Sequence, residues 1–391
     1  MAETEPPRRF PAPLPLGLYV HLPWCVRKCP YCDFNSHPLR HEIPEAAYID
    51  ALLREAARRR NDVPGRTVGT VFIGGGTPSL FSPQAIGRLL DGLAAQFTID
   101  PDAEVTLEAN PGTLDNTRLG GFRAAGVNRL SLGVQSFNDR LLRAIGRIHD
   151  AQQALDAVLA ARRAGFDHLN LDLMYGLPGQ TVAQAGGDLA TAIALAPEHL
   201  SWYQLTIEPD TAFGARPPPL PDDEQRWAMQ EEGQGRLAAA GYTQYEVSAH
   251  ARPGRRCRHN ENYWCYGDYL GLGAGAHGKL TDRAAARIVR TRNHRSPARY
   301  MERMQDAVEY DERWQVSRGD SVFEFALNAL RLVEGFEMRL FEERTGLERD
   351  TLAAALEGPR ERGLIAVHGD RVVPTPLGRR FLDDLVASFL P

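Results

Sequence analysis

From Leu16 to about Val247 the chain alternates short apolar, β-branched runs with longer stretches whose apolar residues recur at helical spacing. That is the βα rhythm of a parallel sheet. The predicted strands are 17–22, 68–73, 104–107, 129–133, 169–173 and 201–206, with a further one at 245–248. Six βα units are too few to close an eight-stranded barrel, so the pattern predicts an α/β protein built on a partial (βα)6 TIM-like barrel. The helices between the strands carry their own punctuation. Ser82 is an N-cap, Pro83 takes the first helical position, and Ile86, Leu89, Leu90, Leu93 and Phe97 share one face. The proline run from Arg216 to Pro221 reads as a stiff loop. From Ser317 onward, helices at 321–333, 338–344 and 349–357, two short strands around His368-Gly369-Asp370 and a final helix follow the order of a winged helix. The chain thus divides into a flexible proline-rich leader (1–15), the partial barrel (16–250), a connecting segment (251–316) carrying a His-Asn-Glu-Asn-Tyr-Trp motif, and a C-terminal winged-helix-like α+β module (317–391).

Composition narrows the function classes. The 391 residues hold 45 Lys+Arg against 50 Asp+Glu, a net charge of −5, whereas a dedicated nucleic-acid binder needs an excess of cations for phosphate. The C-terminal module, with ten arginines and no lysine against thirteen acidic residues, is read as a packing or lid module rather than a DNA reader, and no nucleic-acid partner is expected. No apolar run approaches the roughly 18 residues of a membrane span. The first fifteen residues contain Glu3, Glu5 and five prolines, which break the helix that an export signal needs, so a cytoplasmic location is expected. Three of the five cysteines crowd into eight positions. Such crowding points to metal rather than to a disulfide framework.

The strongest chemical signal is Cys25-Val-Arg-Lys-Cys29-Pro-Tyr-Cys32, directly after the first strand. Three thiolates on one short loop can grip three corners of a cubane iron–sulfur cluster. The fourth iron stays open to chelate the amino and carboxylate groups of a methionine-like molecule, and this spacing is the one that radical S-adenosylmethionine enzymes use. A zinc site completed by His21 or His37 is the competing use, although zinc ligands come more often as two separated pairs. Other polar groups fall at strand ends, where a βα barrel builds its site. Gly74-Gly75-Gly76-Thr77-Pro78 offers close backbone approach and free N–H and C=O groups to an amino acid, or simply a tight turn. Glu108 can receive ribose hydroxyls, and Tyr31 can face an adenine ring. Gln135 ends the fourth strand, Arg147 follows, and Asp172 sits among apolar residues of the fifth, where it needs Arg147, a backbone N–H or a ligand cation as partner. A third cluster, Cys257-Arg-His259-Asn260-Glu-Asn-Tyr263-Trp264-Cys265, follows Arg252, Arg255 and Arg256. It holds an axial-type imidazole, two thiols, aromatic rings and arginines for propionates, the parts of a haem site. Each part also has an ordinary structural use. A glycine-rich segment ending in His277 reads as closely packed strand or ligand-facing backbone.

Tyr19-Val-His-Leu-Pro-Trp-Cys25, the three-cysteine loop, the triple glycine, Leu-Gly-Val-Gln135-Ser-Phe and Asp172-Leu-Met-Tyr-Gly-Leu-Pro-Gly-Gln together resemble the radical S-adenosylmethionine proteins related to oxygen-independent coproporphyrinogen III dehydrogenase. The resemblance covers nearly the whole chain and implies the partial barrel of the radical S-adenosylmethionine type. Within that group, His259-Asn-Glu-Asn-Tyr-Trp264 is similar to the His-Asn-x-x-Tyr-Trp motif of the haem-chaperone family. The resemblance implies a [4Fe-4S] cluster on Cys25, Cys29 and Cys32, with S-adenosylmethionine touched by Tyr19, Gly75 and Glu108. Tyr31, Gly76, Thr77, Gln135, Arg147 and Asp172 match positions that contact a second S-adenosylmethionine in the dehydrogenase. Haem would fall to His259, Asn260, Tyr263 and Trp264. The implied partners are haem, an electron donor for the cluster, and haem-receiving respiratory membrane proteins at the cytoplasmic membrane face, with peripheral membrane association. Two departures weigh against the dehydrogenase activity. The chain reads Cys32-Asp33-Phe34 where the dehydrogenase has a fourth cysteine in Cys-x-Cys form, and only about 16 residues precede the first strand. A radical methyltransferase and a zinc-stapled winged-helix regulator complete the set of readings.

Overall fold

A computed structural model describes residues 8–306 and 310–391. Six parallel strands form the predicted barrel: β1 (Leu16–Leu22), β2 (Thr67–Gly75), β3 (Thr98–Ala109), β4 (Arg129–Gln135), β5 (Leu169–Tyr175) and β6 (His199–Gln204). In β1 the alternate residues Leu16, Leu18, Val20 and Leu22 are buried against the helical layer, while Tyr19 and His21 turn toward the concave side. A parallel strand covered on both faces has no solvent side, which is why these strands are legible as near-continuous apolar runs. Full burial of each such aliphatic side chain contributes about 1.5–3 kcal/mol. The helices start where the chain supplies caps. Ser82 Oγ accepts from Ala85 N–H, while Asp150 with Gln153 and Thr181 with Gln184 form reciprocal capping boxes.

The sheet continues past both ends of the barrel. On one side β6 pairs antiparallel with β8 (Ala249–Ala251), which pairs with β7 (Thr243–Glu246). On the other, β9 (Asp268–Leu272) lies parallel to β1 and is followed by the antiparallel β10 (His277–Asp282), β11 (Arg287–Arg292) and β12 (Glu312–Gln315). The resulting twelve-stranded order, β12-β11-β10-β9-β1-β2-β3-β4-β5-β6-β8-β7, does not return on itself. Residues 251–316 are therefore more than a connecting segment, since four of the sheet's strands lie there.

The C-terminal part contains the helices Arg318–Ala329, Met338–Thr345 and Arg349–Glu361 and a hairpin of Ile365–His368 with Arg371–Pro374. It has its own core around Phe325, Phe341, Leu352 and Val372. Phe10 and Leu14 belong to that core, and the Arg8 guanidinium donates to the carbonyls of Thr345, Val316 and Ser317 and to Ser321 Oγ at 2.8–3.0 Å. Residues 8–15 are thus a packed strap, not the flexible leader that the prolines suggest. The earlier part of that leader lies outside the described residues. Among the described residues no helix is long and apolar enough to cross a membrane.

Candidate functional site

The carboxyl ends of the six barrel strands gather at one end of the molecule, and the cysteine loop leaves β1 there. Its base is fixed by Trp24 and Cys25, which pair in parallel with His37 and Pro38, and by Trp24 packing edge-on against Tyr48 at 4.7 Å. Each thiol meets polar neighbours. Thr77 Oγ1 lies 3.5 Å from Cys25 Sγ, Ser36 Oγ 3.6 Å from Cys32 Sγ, and an Arg147 nitrogen 3.8 Å from Cys29 Sγ. Burial raises the pKa of Cys25 and Cys32.

These residues fit a cubane cluster better than a single ion. All three thiols are half-buried and line one cavity, but among the described residues no three ligating groups converge on a point. A cubane presents its irons at separate corners, so its thiolates need only face a common volume. The imidazoles proposed for zinc are engaged elsewhere. His21 Nδ1 bonds Tyr19 OH and its Nε2 bonds Asn35 O, both at 2.9 Å, while His37 Nε2 faces Asn35 Oδ1 and Arg295 O at 3.2 Å.

Beside the thiols the same cavity is lined by Tyr31, Gly75, Gly76, Thr77, Glu108, Gln135, Arg147 and Asp172. All the cluster and S-adenosylmethionine residues expected from the sequence therefore meet in one place except Tyr19, which stands behind His21, stacked on Phe72 at 6.3 Å. The glycines serve differently from the expectation of free N–H groups. Gly75 N–H goes to Glu108 Oε2 at 3.1 Å, Gly76 N–H to Leu22 O at 2.9 Å, and Thr77 N–H to Trp24 O at 2.7 Å. Gly75 adopts φ +115°, and an added Cβ would stand 2.5–2.8 Å from the His21 ring. The triple glycine thus binds the second strand end to the cysteine loop.

Glu108 is pushed up to about 7, first by burial and then by the neighbouring Asp172 carboxylate. Asp172 does not pair with Arg147. It accepts from Asn170 Nδ2 at 2.8 Å and Ser131 Oγ at 3.2 Å, while Arg147 donates to Gly133 O at 2.5 Å. The two carboxylates can therefore face a cationic ligand without a protein counter-ion between them. Gln135 holds φ +71°, rare for a residue with a Cβ, and receives Tyr203 OH at 2.7 Å on its side-chain oxygen. Tyr203, Ser131 and Asn110 also line the cavity but were not singled out in the sequence. The strand-end position of Tyr203 in β6 is the signal that would have found it.

The histidine motif lies at the barrel's other end. The helix Arg258–Trp264 closes its floor, with Glu104, near the amino end of the paired part of β3, accepting from the N–H groups of Arg258 (3.1 Å) and His259 (3.0 Å). His259 is 1% exposed. Its Nδ1 bonds Thr70 Oγ1 at 2.8 Å and its Nε2 bonds Tyr263 OH at 2.9 Å, and its ring stacks on Phe72 at 5.1 Å. Burial, then the Arg129 charge, drives its pKa down to about 3. Tyr263 continues edge-on to Tyr269 at 4.5 Å. Asn260 and Trp264 are half-buried, and Arg331 lies over the Trp264 ring at 4.3 Å.

Comparison with known proteins agrees with this architecture. Residues 19–189 match the radical SAM superfamily and residues 316–381 the HemN C-terminal domain. The chain is 48% identical over 381 residues to the heme chaperone HemW of Escherichia coli, covering 96% of this chain and 98% of that one. It is 45% identical to the heme chaperone HemW of Haemophilus influenzae, with 96% and 98% covered. Among solved structures it is similar to the coproporphyrinogen III oxidase HemN of Escherichia coli, a radical SAM enzyme, at a TM-score of 0.82 and 27% identity, covering 96% of this chain and 90% of that one. The matched radical SAM domain and the cysteine cavity assign a [4Fe-4S] cluster and S-adenosylmethionine as cofactors and exclude the zinc-stapled regulator. With a radical SAM match over residues 19–189 and near full-length identities of 48% and 45% to these relatives, the chain belongs to the HemW haem-chaperone family of radical S-adenosylmethionine proteins.

Proposed function

We propose that the protein binds haem and hands it to a haem-requiring acceptor, using the cluster end of the barrel to control that cargo rather than to make it. The observation that carries this reading is the near full-length match to haem chaperones; in this chain the floor helix with its His-Asn-Glu-Asn-Tyr-Trp sequence is separate from the cysteine cavity. Cys25, Cys29 and Cys32 would hold the cluster. When bound, the cluster supplies an open iron that chelates S-adenosylmethionine and a store for one electron. The chain's own residues orient that ligand. Gly75, Gly76, Glu108 and Asp172 line the cavity beside the thiols and would receive its polar groups, and Tyr31 packs near the loop beside Phe213. Gln135, fixed by Tyr203, and Arg147 close the far wall.

The acceptors in this reading are respiratory membrane proteins, met at the cytoplasmic membrane face, and the cluster draws its electron from a separate donor. A second reading, coproporphyrinogen III dehydrogenase, is favoured by the structural likeness to HemN and opposed by Asp33-Phe34 in place of a further cysteine. The two separate in one anaerobic preparation of cluster-loaded protein, titrated with haemin and assayed with coproporphyrinogen III and S-adenosylmethionine. Saturable haem binding without decarboxylated product supports the chaperone; vinyl-bearing product with only diffuse haem binding overturns it.

A further inference from the structure

Asp172 is held in the cavity by neutral donors, and those donors lead away from it. Its Oδ1 accepts from Asn170 Nδ2 at 2.8 Å and its Oδ2 from Ser131 Oγ at 3.2 Å. Asn170 Nδ2 also donates to Ser131 Oγ at 2.8 Å. Both amide hydrogens are thus spent, and Asn170 Oδ1 is left as an acceptor. It faces His199 Nδ1 at 2.6 Å and receives Ser201 Oγ at 3.2 Å. On the far side of the imidazole, His199 Nε2 lies 2.9 Å from Tyr245 OH, and the Tyr245 oxygen accepts from the Cys257 N–H at 3.3 Å. Cys257 is the N-cap of the motif helix Arg258–Trp264. One unbroken chain of hydrogen bonds therefore runs through the barrel interior from the cofactor cavity to the floor.

Strand register builds the chain. It sets Ser131 of β4 beside Asn170 of β5, Asn170 beside His199 of β6, and Asp172 beside Ser201. Ser131, Asn170, His199 and Tyr245 are all buried, so their polar atoms must satisfy one another. The direction of every bond follows from the carboxylate at one end. An ionised carboxylate only accepts, so Asn170 must turn its NH2 group to Asp172. Its oxygen then needs a hydrogen from His199, which places the imidazole proton on Nδ1. The bare Nε2 in turn accepts the Tyr245 hydroxyl. The opposite tautomer would set a nitrogen lone pair against the Asn170 oxygen. Burial, then the Arg129 charge, holds the His199 pKa well below the usual imidazole range, so the ring carries one proton and cannot donate from both sides. Without that imidazole the Asn170 amide is free to turn over, and a flipped amide would set its oxygen against Asp172.

We propose that His199 is a positioning residue for S-adenosylmethionine: its Nδ1–H holds the Asn170 amide so that the Asp172 carboxylate stays turned into the cavity, and its Nε2 ties that arrangement to the floor helix through Tyr245. The proposal rests on the reading of the cavity as the cofactor site. Its test is an anaerobic calorimetric titration with S-adenosylmethionine of the cluster-loaded full chain as wild type, His199→Leu and His199→Asn, with iron content and thermal unfolding measured alongside. Asparagine puts an amide nitrogen where Nδ1 stands and can donate to Asn170 while giving up Tyr245; leucine does neither. Both variants are expected to unfold at a lower temperature. His199→Leu is expected to weaken S-adenosylmethionine binding about tenfold at unchanged iron content, and His199→Asn to keep the wild-type affinity. Nitrogen NMR of histidine-labelled wild type is expected to show His199 as the Nδ1–H tautomer, and this decides the matter should His199→Leu not fold. Unchanged affinity in His199→Leu, an equal loss in both variants, or an Nε2–H tautomer would overturn the positioning role alone. Failure of the wild type to bind S-adenosylmethionine would overturn the cavity reading, and the positioning role with it.

Discussion

The two ends of the barrel spend their polar groups in opposite ways. At the carboxyl ends of the strands, half-buried thiols have long, weak partners at 3.5–3.8 Å, two carboxylates stand together in one cavity, and Gln135 holds a strained backbone angle. At the floor, Glu104, His259, Thr70 and Tyr263 satisfy one another at 2.8–3.1 Å. A site that must receive a charged ligand keeps groups uncompensated and meets the cost elsewhere in the fold; a satisfied buried network instead specifies one packing. The difference separates ligand-facing residues from structural ones even where a sequence motif makes both look like ligands.

The largest effect expected is at the open end. Cys29→Ala should abolish the iron and sulfide content reached on anaerobic reconstitution yet leave thermal unfolding of the apo chain unchanged, because the loop thiols contribute little to the core. A matching drop in unfolding temperature would erase the contrast between the two ends. At the closed end the effect is on the fold. His259→Ala should cost about 2–4 kcal/mol in denaturant unfolding, from the lost ring volume and the stranded Thr70 hydroxyl.

Acid should sharpen the same contrast. With a folded pKa of about 3 against about 6.5 when unfolded, the unfolded chain takes up a proton at His259 that the folded chain refuses. Stability from this group is therefore complete above about pH 6.5 and is lost as pH falls toward 3. His259→Gln should flatten the stability curve over that window. Glu108 has the opposite sign. Its folded pKa of about 7 lies above the unfolded value, so it weakens the apo fold as pH rises from about 4.5 through 7. Glu108→Gln should stabilise the apo chain at pH 8 by about 1–2 kcal/mol, discounted for the partial exposure of its side chain, while lowering S-adenosylmethionine affinity in calorimetry. Unchanged stability would mean that the cavity already screens this carboxylate. The smallest effect is expected for Tyr203→Phe, which removes one hydrogen bond to Gln135 and should weaken S-adenosylmethionine binding by about 1 kcal/mol with no change in cluster content.

Much of the open end was legible in the chain because its signals are local. The cysteine spacing, the triple glycine, the strand-end positions of Glu108 and Gln135 and the carboxylate of Asp172 inside an apolar strand each sit within one short segment or follow from barrel geometry. The closed end was not, because its meaning is set by partners far away in sequence. The Thr70–His259 bond joins residues 189 apart, and nothing near His259 shows that Tyr263 would take its second nitrogen. The same holds for Asp172, whose partners are its neighbour Asn170 and a strand-mate, Ser131, rather than Arg147. The sheet extension escaped notice for a compositional reason. β11 reads Arg-Ile-Val-Arg-Thr-Arg, and arginines near a sheet edge break the apolar run that marks an interior strand. The packed strap escaped because five prolines look like a free leader until Arg8 finds the carbonyls of Thr345, Val316 and Ser317.

The central claim is that the open end serves the cluster and that haem is held elsewhere, and the most direct measurement is haem affinity as a function of cluster content. Cluster-loaded wild type and the Cys29→Ala chain would be titrated with haemin side by side under anaerobic conditions. The account predicts the same stoichiometry, Soret position and dissociation constant in both. Haem binding that falls in step with the iron–sulfur content would contradict it and place the haem on the cluster.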